Sequence, residues 1–192
     1  MEPLRHAGFL LEISNSHDIM RRYFVVNGFD GALTMLGIIM GFAVTAPIDF
    51  TVVISACLGA AVALGVSGVS SAYISEAAER KRELAKLEGA MVTDLQNSAH
   101  GQAARWVPML VALVNGLAPL IISMLIILPL WLVKSGTILP VSPLVAAIGI
   151  ALIIIFLLGV YLGRIAGISW IRSGLQTIVI AGVTIGLIYL LA

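Results

Sequence analysis

The sequence predicts an all-α integral membrane protein with five transmembrane helices, and three observations carry this prediction. First, 60% of its 192 residues are hydrophobic and 11% are charged, against roughly 45–50% and about 25% in an ordinary soluble domain. Second, five apolar runs are long enough to cross a bilayer as helices. Third, 16 of the 21 charged residues lie within 1–22 and 76–105, as expected where charge in hydrocarbon is costly.

The five predicted spans are separated by polar or helix-breaking residues. Pro47 and Asp49 follow the first span, Pro140 follows the third, and Arg164 follows the fourth. The spans cover roughly 24–46, 51–75, 106–133, 142–163 and 169–191. We therefore divide the chain into a cytoplasmic or interfacial segment, transmembrane helices 1 and 2, a cytoplasmic helical segment and transmembrane helices 3 to 5: 1–22, 23–75, 76–105 and 106–192.

Positive charge predicts the orientation. With five spans the chain ends lie on opposite sides, and only Lys134 of the 11 lysines and arginines falls on the side of the C-terminus. The positive-inside rule then places the N-terminus in the cytoplasm and the C-terminus on the opposite side, at the cell membrane if the organism is prokaryotic. We expect residues 1–22 to form a surface helix and no removable signal peptide. Because strong helix formers follow the second span, it should continue into the cytoplasm and break near Gly89.

Several functional classes are excluded or disfavoured. A net charge of +1 gives no basis for nucleic-acid binding, and the single Cys57 excludes an internal disulfide or a cysteine metal cluster. The Asp30-Gly31 pair is similar to lipid head-group transferases, but those enzymes need further aspartates where Thr34 and Ile38 stand. We expect no enzyme and no permanently bound cofactor.

Asp30 is the candidate functional residue of the first span. It lies eight residues beyond Arg22, about 12 Å along a helix. An ionisable group inside a membrane span marks a functional site by default, here an oxygen ligand for a cation that is also able to take up a proton. The alternative is an aspartate that only satisfies a local kink. Neighbouring polar groups that are candidates for a transport pathway are Asn27, Thr34, Ser67 and Ser71.

The cytoplasmic segment offers a second set of candidate metal ligands. Carboxylates with an occasional imidazole suit hard or borderline divalent ions, and carboxylates three or four residues apart share one side of a helix. The alternative is a solvated, ion-paired helix face, because basic residues interleave with the acidic ones. The candidates are Glu76, Glu79, Glu83, Glu88 and His100.

Three stretches of the chain resemble the vacuolar iron transporter family. The run RRYFVVNGFDGALT (Arg21–Thr34) resembles the family's first-helix signature, and SGVSSAYIS (Ser67–Ser75) is similar to its Ser-Met-Gly-x-x-x-Tyr-x-Ser stretch. Arg172-Ser173-Gly174-Leu175 also looks like the opening of the family's last helix. The resemblance implies a homodimer in the bilayer whose first helices meet at the two-fold axis. It also implies proton-coupled export of Fe²⁺ or Mn²⁺ between the subunits, with Asp30 as the transport aspartate.

Two family ligands have no counterpart in this chain. Gly68 stands where the family has methionine, and Ala60 stands where some members have glutamate. Loss of the thioether removes the soft ligand that favours Fe²⁺, and the family's cytoplasmic metal-binding module is reduced to about residues 76–105. A non-transporting membrane scaffold or metal sensor of the same fold is therefore the alternative function.

Overall fold

The computed structural model describes Gly8, residues 16–45 and residues 49–191, and within these ranges the structure is helical with no strand. Each of five helices is long and apolar enough to cross a membrane, which confirms the predicted all-α class and the number of candidate spans. They are α1 (His17–Ala43), α2 (Phe50–Met91), α3 (Ala99–Lys134), α4 (Pro143–Ile165) and α5 (Trp170–Leu191). The surface helix predicted within residues 1–22 lies largely outside the described residues.

Helix α1 begins earlier than the apolar run that predicts it. The span was expected from residue 24, whereas the helix begins at His17. Asp18 in the first turn pairs with Arg21 over 2.8 Å, and an acidic side chain at this end is favoured by the helix dipole. The polar residues before the apolar run therefore extend the helix instead of preceding it.

Helix α2 continues far beyond the length of a single span, as the sequence predicts. Its 42 residues make a rod of about 63 Å at 1.5 Å per residue, roughly twice the thickness of a bilayer's hydrocarbon core. The helix ends at Met91, close to the expected break at Gly89. Val92 follows with a φ of 49°, and the Thr93 amide donates to the Glu88 carbonyl oxygen over 3.3 Å to close the last turn.

The helices contribute to two compact units. The first contains the described residues of Met1–Phe24 together with Gly65–Leu117. The start of α1 packs in it against the first part of α3, where Ala103, Val107 and Val111 are buried. The α2 segment of this unit lies close against α3 at Gly116, where an added Cβ would be 2.5 Å from the Gly65 carbonyl oxygen.

The second unit contains Val25–Leu64 and the described residues of Ala118–Ala192. All five helices contribute to its apolar core, and α4 packs along α5 through glycines. A Cβ on Gly159 would collide with the Thr177 hydroxyl, which lies 3.1 Å from the Ile155 carbonyl oxygen. Fully buried side chains of the core include Met35, Leu36, Ile39, Val53, Cys57, Ile126, Leu130, Ile155 and Ala181.

Candidate functional site

Asp30 is exposed on α1, and the opposite side of that helix is buried in the second unit. Two glycines allow α1 to pack closely with the side opposite Asp30 facing the core. A Cβ on Gly28 would lie 2.7 Å from Cδ1 of Ile122, and a Cβ on Gly31 would lie 2.8 Å from the Pro119 Cα atom on α3. Because the glycine side fits closely against the unit, the carboxylate beside it faces away from the core.

The helix face around Asp30 is exposed at Val26 and Asp30 and partly covered from there towards Gly41. Val26, one turn before Asp30, is half exposed, and Thr34, one turn after it, is only partly buried. Further along the same face, Gly41 has no atom within 4 Å of an added Cβ. Asp30 itself has no hydrogen-bond or ion-pair partner among the described residues. We call this face, from Val26 to Gly41, the Asp30 strip.

The other predicted pathway residues differ in their surroundings. Asn27 precedes Asp30 on α1, is partly buried and makes a polar contact. Ser67 and Ser71 are exposed on α2 in the first unit. The Ser71 hydroxyl donates to the carbonyl oxygen of Gly68 over 3.4 Å within its own helix. Both serines thus lie on a face of α2 that the first unit leaves uncovered.

Gly68, where the resemblance implies a methionine, lies at a close contact between α2 and α3. An added Cβ there would be 3.1 Å from the Asn115 carbonyl oxygen and 3.2 Å from the Gly116 Cα atom. The side-chain amide of Asn115 donates to the Gly68 carbonyl oxygen over 2.7 Å. Since these neighbours are backbone atoms of another helix, a side chain at this position would require α3 to shift by a few tenths of an ångström.

Two of the predicted metal ligands are paired with a buried arginine. Arg80 and Glu76 are each 8% exposed, with 3.6 Å between Nε and the carboxylate. Glu83 accepts a hydrogen bond of 2.7 Å from Nη1 of Arg80, and Nη2 donates to the Ser16 hydroxyl over 3.1 Å. Glu76 and Glu83 are therefore both ion-paired with Arg80.

The remaining predicted ligands are spread along the segment. Glu79 and His100 are exposed, and the Glu88 carboxylate accepts a hydrogen bond of 3.0 Å from the Leu95 amide. Across residues 16–45 and 49–191, no three side chains of His, Cys, Asp or Glu converge in a group that could hold a metal ion. A single chain thus does not bring Glu76, Glu79, Glu83, Glu88 and His100 into one metal site.

One known protein is similar to this chain over most of its length. The uncharacterized protein MJ0645 of Methanocaldococcus jannaschii is 32% identical over 160 residues, which are 82% of this chain and 80% of that protein. The chain belongs to the MJ0645 family. No family model matches the sequence, and no solved structure matches it. For this member of the MJ0645 family, function is therefore inferred from the geometry of Asp30 and of the α2–α3 contact.

Sequence reasoning missed two features of this MJ0645 family member. One is the hydrogen bond between Asn115 and Gly68, which no spacing rule within a single helix indicates. The other is the buried position of Arg80, for which a signal existed. Glu76 and Glu83 lie four residues before and three residues after it, and charges at such spacings meet on one helix face.

Proposed function

We propose that this protein exports a divalent metal ion, Fe²⁺ or Mn²⁺, from the cytosol in exchange for protons. The path lies between two copies of the chain that meet along the Asp30 strip of α1. The observation that carries the proposal is the exposed, unpaired carboxylate of Asp30 within a helix apolar enough to cross a membrane. The first-helix resemblance to the vacuolar iron transporter family supports it.

A carboxylate on an uncovered face of a membrane span needs a polar partner. Ionised aspartate is costly in hydrocarbon, so such residues face a wet cavity, another subunit or a cation. A two-fold axis beside the Asp30 strip would bring two carboxylates together, and their mutual repulsion is relieved by a proton or by a hard divalent cation. The same pair of groups thereby exchanges protons for metal.

The shape of the Asp30 strip suits close approach of two helices. Thr34, Gly37 and Gly41 follow Asp30 on the same face, and small residues let helix backbones come together. Asn27 and Thr34 supply neutral oxygen atoms beside the carboxylate. Ser67 and Ser71, exposed on α2 in the first unit, are the proposed pathway residues of that helix.

The proposed orientation places the N-terminus and the end of α2 in the cytosol and the C-terminus on the opposite side. All lysines and arginines other than Lys134 then lie on the cytosolic side, in agreement with the positive-inside rule. Glu79 and His100 are the exposed members of the cytosolic ligand set. They would deliver metal to the path, while Glu76 and Glu83 are paired with Arg80.

The deciding experiment is metal flux into proteoliposomes with Asp30→Asn. We expect the variant to lose Fe²⁺ and Mn²⁺ flux and the accompanying proton movement while remaining a dimer by light scattering. Asp94→Asn is the matched control, because Asp94 is exposed in the loop after α2 and binds only the Gln96 amide among the described residues. Wild-type flux in Asp30→Asn would refute the proposal.

The second candidate function is a membrane scaffold or metal sensor that does not transport. It is favoured by Gly68, which supplies no thioether ligand where the resembling family has methionine and lies at a tight contact with the backbone of α3. Binding and flux measurements with Fe²⁺, Mn²⁺, Co²⁺ and Zn²⁺ separate the two functions. Saturable binding without flux indicates a sensor, and neither binding nor flux indicates a scaffold.

A further inference from the structure

The first unit contains a cavity of about 280 Å³ between the end of α2 and the beginning of α3. Lys81 and Glu88 line it from α2, and Arg105 lines it from α3. The α2 residues repeat at three- and four-residue intervals, so they form one face of that helix. The lining residues belong to the first unit, and the Asp30 strip belongs to the second.

Small residues and a folded-back loop create this space. Ala85 and Ala104 lie on the two helix faces that line the cavity, and neither side chain extends beyond a methyl group. Gly101 in the first turn of α3 lies directly against the preceding loop, since an added Cβ would collide with the Gln96 carbonyl oxygen. The loop therefore closes one side of the cavity, and Gln96 contributes to its lining.

The cavity carries a net positive charge. Neither Lys81 nor Arg105 has an ion-pair or hydrogen-bond partner among the described residues. The single carboxylate of the lining, Glu88, is held by the Leu95 amide over 3.0 Å. The Gly101 amide in the first turn of α3 donates to the Ser98 hydroxyl over 3.3 Å, so the charge of the cavity comes from its side chains. Two unpaired cations against one carboxylate disfavour a divalent metal and favour an anion.

We propose that this cavity binds a phosphate group. Arginine offers a planar fork of donors that matches phosphate oxygens, and lysine adds a compact positive charge. The space is ample for a phosphate with a small substituent. Arg105 also directly precedes the apolar run of α3, and the adjacent Trp106 is exposed, as tryptophans at a membrane interface are. A phospholipid headgroup and a soluble phosphate both reach such a position.

The test measures ligand-dependent thermal unfolding of the full-length protein in uncharged detergent. One titration uses inorganic phosphate, and a second uses phosphatidylglycerol, with diacylglycerol of the same acyl chains as the lipid lacking phosphate. A ligand that binds only the folded state raises the unfolding temperature in a saturable manner, from which an affinity follows. Tryptophan fluorescence reports unfolding, since Trp106 adjoins Arg105.

Two kinds of variant probe the cavity by different means. The double variant Lys81→Gln/Arg105→Gln removes its free charges, and Ala104→Leu fills its space without changing charge. We expect each to weaken binding by about tenfold or more, as for the loss of charge-assisted hydrogen bonds. Arg82→Gln is the matched control, because Arg82 is exposed one position from Lys81 but does not line the cavity, and it should bind as the wild type does.

Each outcome bears on the proposal directly. Saturable binding of inorganic phosphate that the cavity variants lose supports a soluble ligand, whereas the same result with phosphatidylglycerol alone supports a lipid. The proposal is overturned if neither probe stabilises the wild type, or if both cavity variants bind as tightly as Arg82→Gln. Because Lys81 and Arg105 are exposed side chains, the double variant is expected to fold, which keeps the charge test valid if Ala104→Leu does not.

Discussion

The side-chain amide of Asn115 on α3 donates a hydrogen bond of 2.7 Å to the backbone carbonyl oxygen of Gly68 on α2. The neighbouring Gly116 packs so closely that an added Cβ would lie 2.5 Å from the Gly65 carbonyl oxygen and would collide with a methyl of Val69. Helices in membranes associate through such small residues and interhelical hydrogen bonds, since lipid removes the hydrophobic driving force. This contact therefore holds α2 against α3 in the first unit.

Gly116→Ala should destabilise the protein by about 1–3 kcal/mol, because the added methyl group meets backbone atoms that cannot rotate away. Gly59→Ala is the matched control in a helix. No atom lies within 4 Å of an added Cβ at Gly59, so the change should be neutral or stabilise by up to about 1 kcal/mol through helix propensity. Thermal unfolding of the two variants in the same detergent measures the difference. Equal stability would show that the α2–α3 contact is looser than described.

The ion pair of Arg80 and Glu76 predicts that the stability of the folded protein depends strongly on both side chains. Arg80→Met leaves the Glu76 carboxylate, whose side chain is 10% exposed, without its cation, and such a loss costs about 3 kcal/mol. The double variant Arg80→Met/Glu76→Met should recover part of this stability, because an apolar pair can replace a buried ion pair. Unfolding curves of Arg80→Met, Glu76→Met and the double variant give the coupling energy between the two side chains.

Arg82→Met is the control for the effect of the charge alone. Arg82 is exposed and has no ion pair among the described residues, so its replacement should change stability by no more than about 0.5 kcal/mol. A double variant as unstable as Arg80→Met alone would show that Arg80 stabilises mainly through its other contacts, such as the Ser16 hydroxyl.

The end of α2 contains a residue in an unfavourable backbone conformation. Val92 has a φ of 49° and is 91% exposed, and a β-branched residue in this left-handed region is strained. Val92→Asn should raise stability by about 1 kcal/mol, since asparagine tolerates the left-handed conformation after a helix. Met91→Asn, one residue earlier and still helical, should lower stability slightly. Opposite signs in thermal unfolding would confirm the backbone argument, and a loss in both variants would contradict it.

The number of helices can be predicted from the sequence because a single apolar span can cross lipid only as a helix. A chain with five long apolar runs must satisfy its backbone polar groups within each run, so length and hydropathy predict α1 to α5. The continuation of α2 follows from the absence of helix breakers before Gly89. The start of α1 at His17 does not follow, since polar residues neither require nor prevent another two turns of helix.

The sequence predicts only part of the candidate site. Asp30 is recognisable because a lone carboxylate in an apolar run has few explanations, and the structure adds that it is exposed. For Glu76 and Glu83, sequence leaves two partners open, a metal ion or a nearby arginine. That choice depends on whether the intervening Arg80 points into the unit or into solvent, which tertiary packing decides. The cavity of Lys81 and Arg105 depends on how the loop after α2 folds back, and the charges alone do not indicate it.

The proposed dimer along the Asp30 strip predicts a cross-link at Thr34. In a Cys57→Ala background, Thr34→Cys in liposomes should give a product of twice the monomer mass with a short bifunctional thiol reagent, because the partly buried Thr34 lies one turn beyond Asp30 on the same helix face. Thr184→Cys is the matched control, since Thr184 on α5 is likewise a partly buried threonine within a span. Cross-linking no greater at Thr34 than at Thr184 would place the two-fold contact elsewhere. The exposed Asp30 carboxylate would then need a partner other than a second α1.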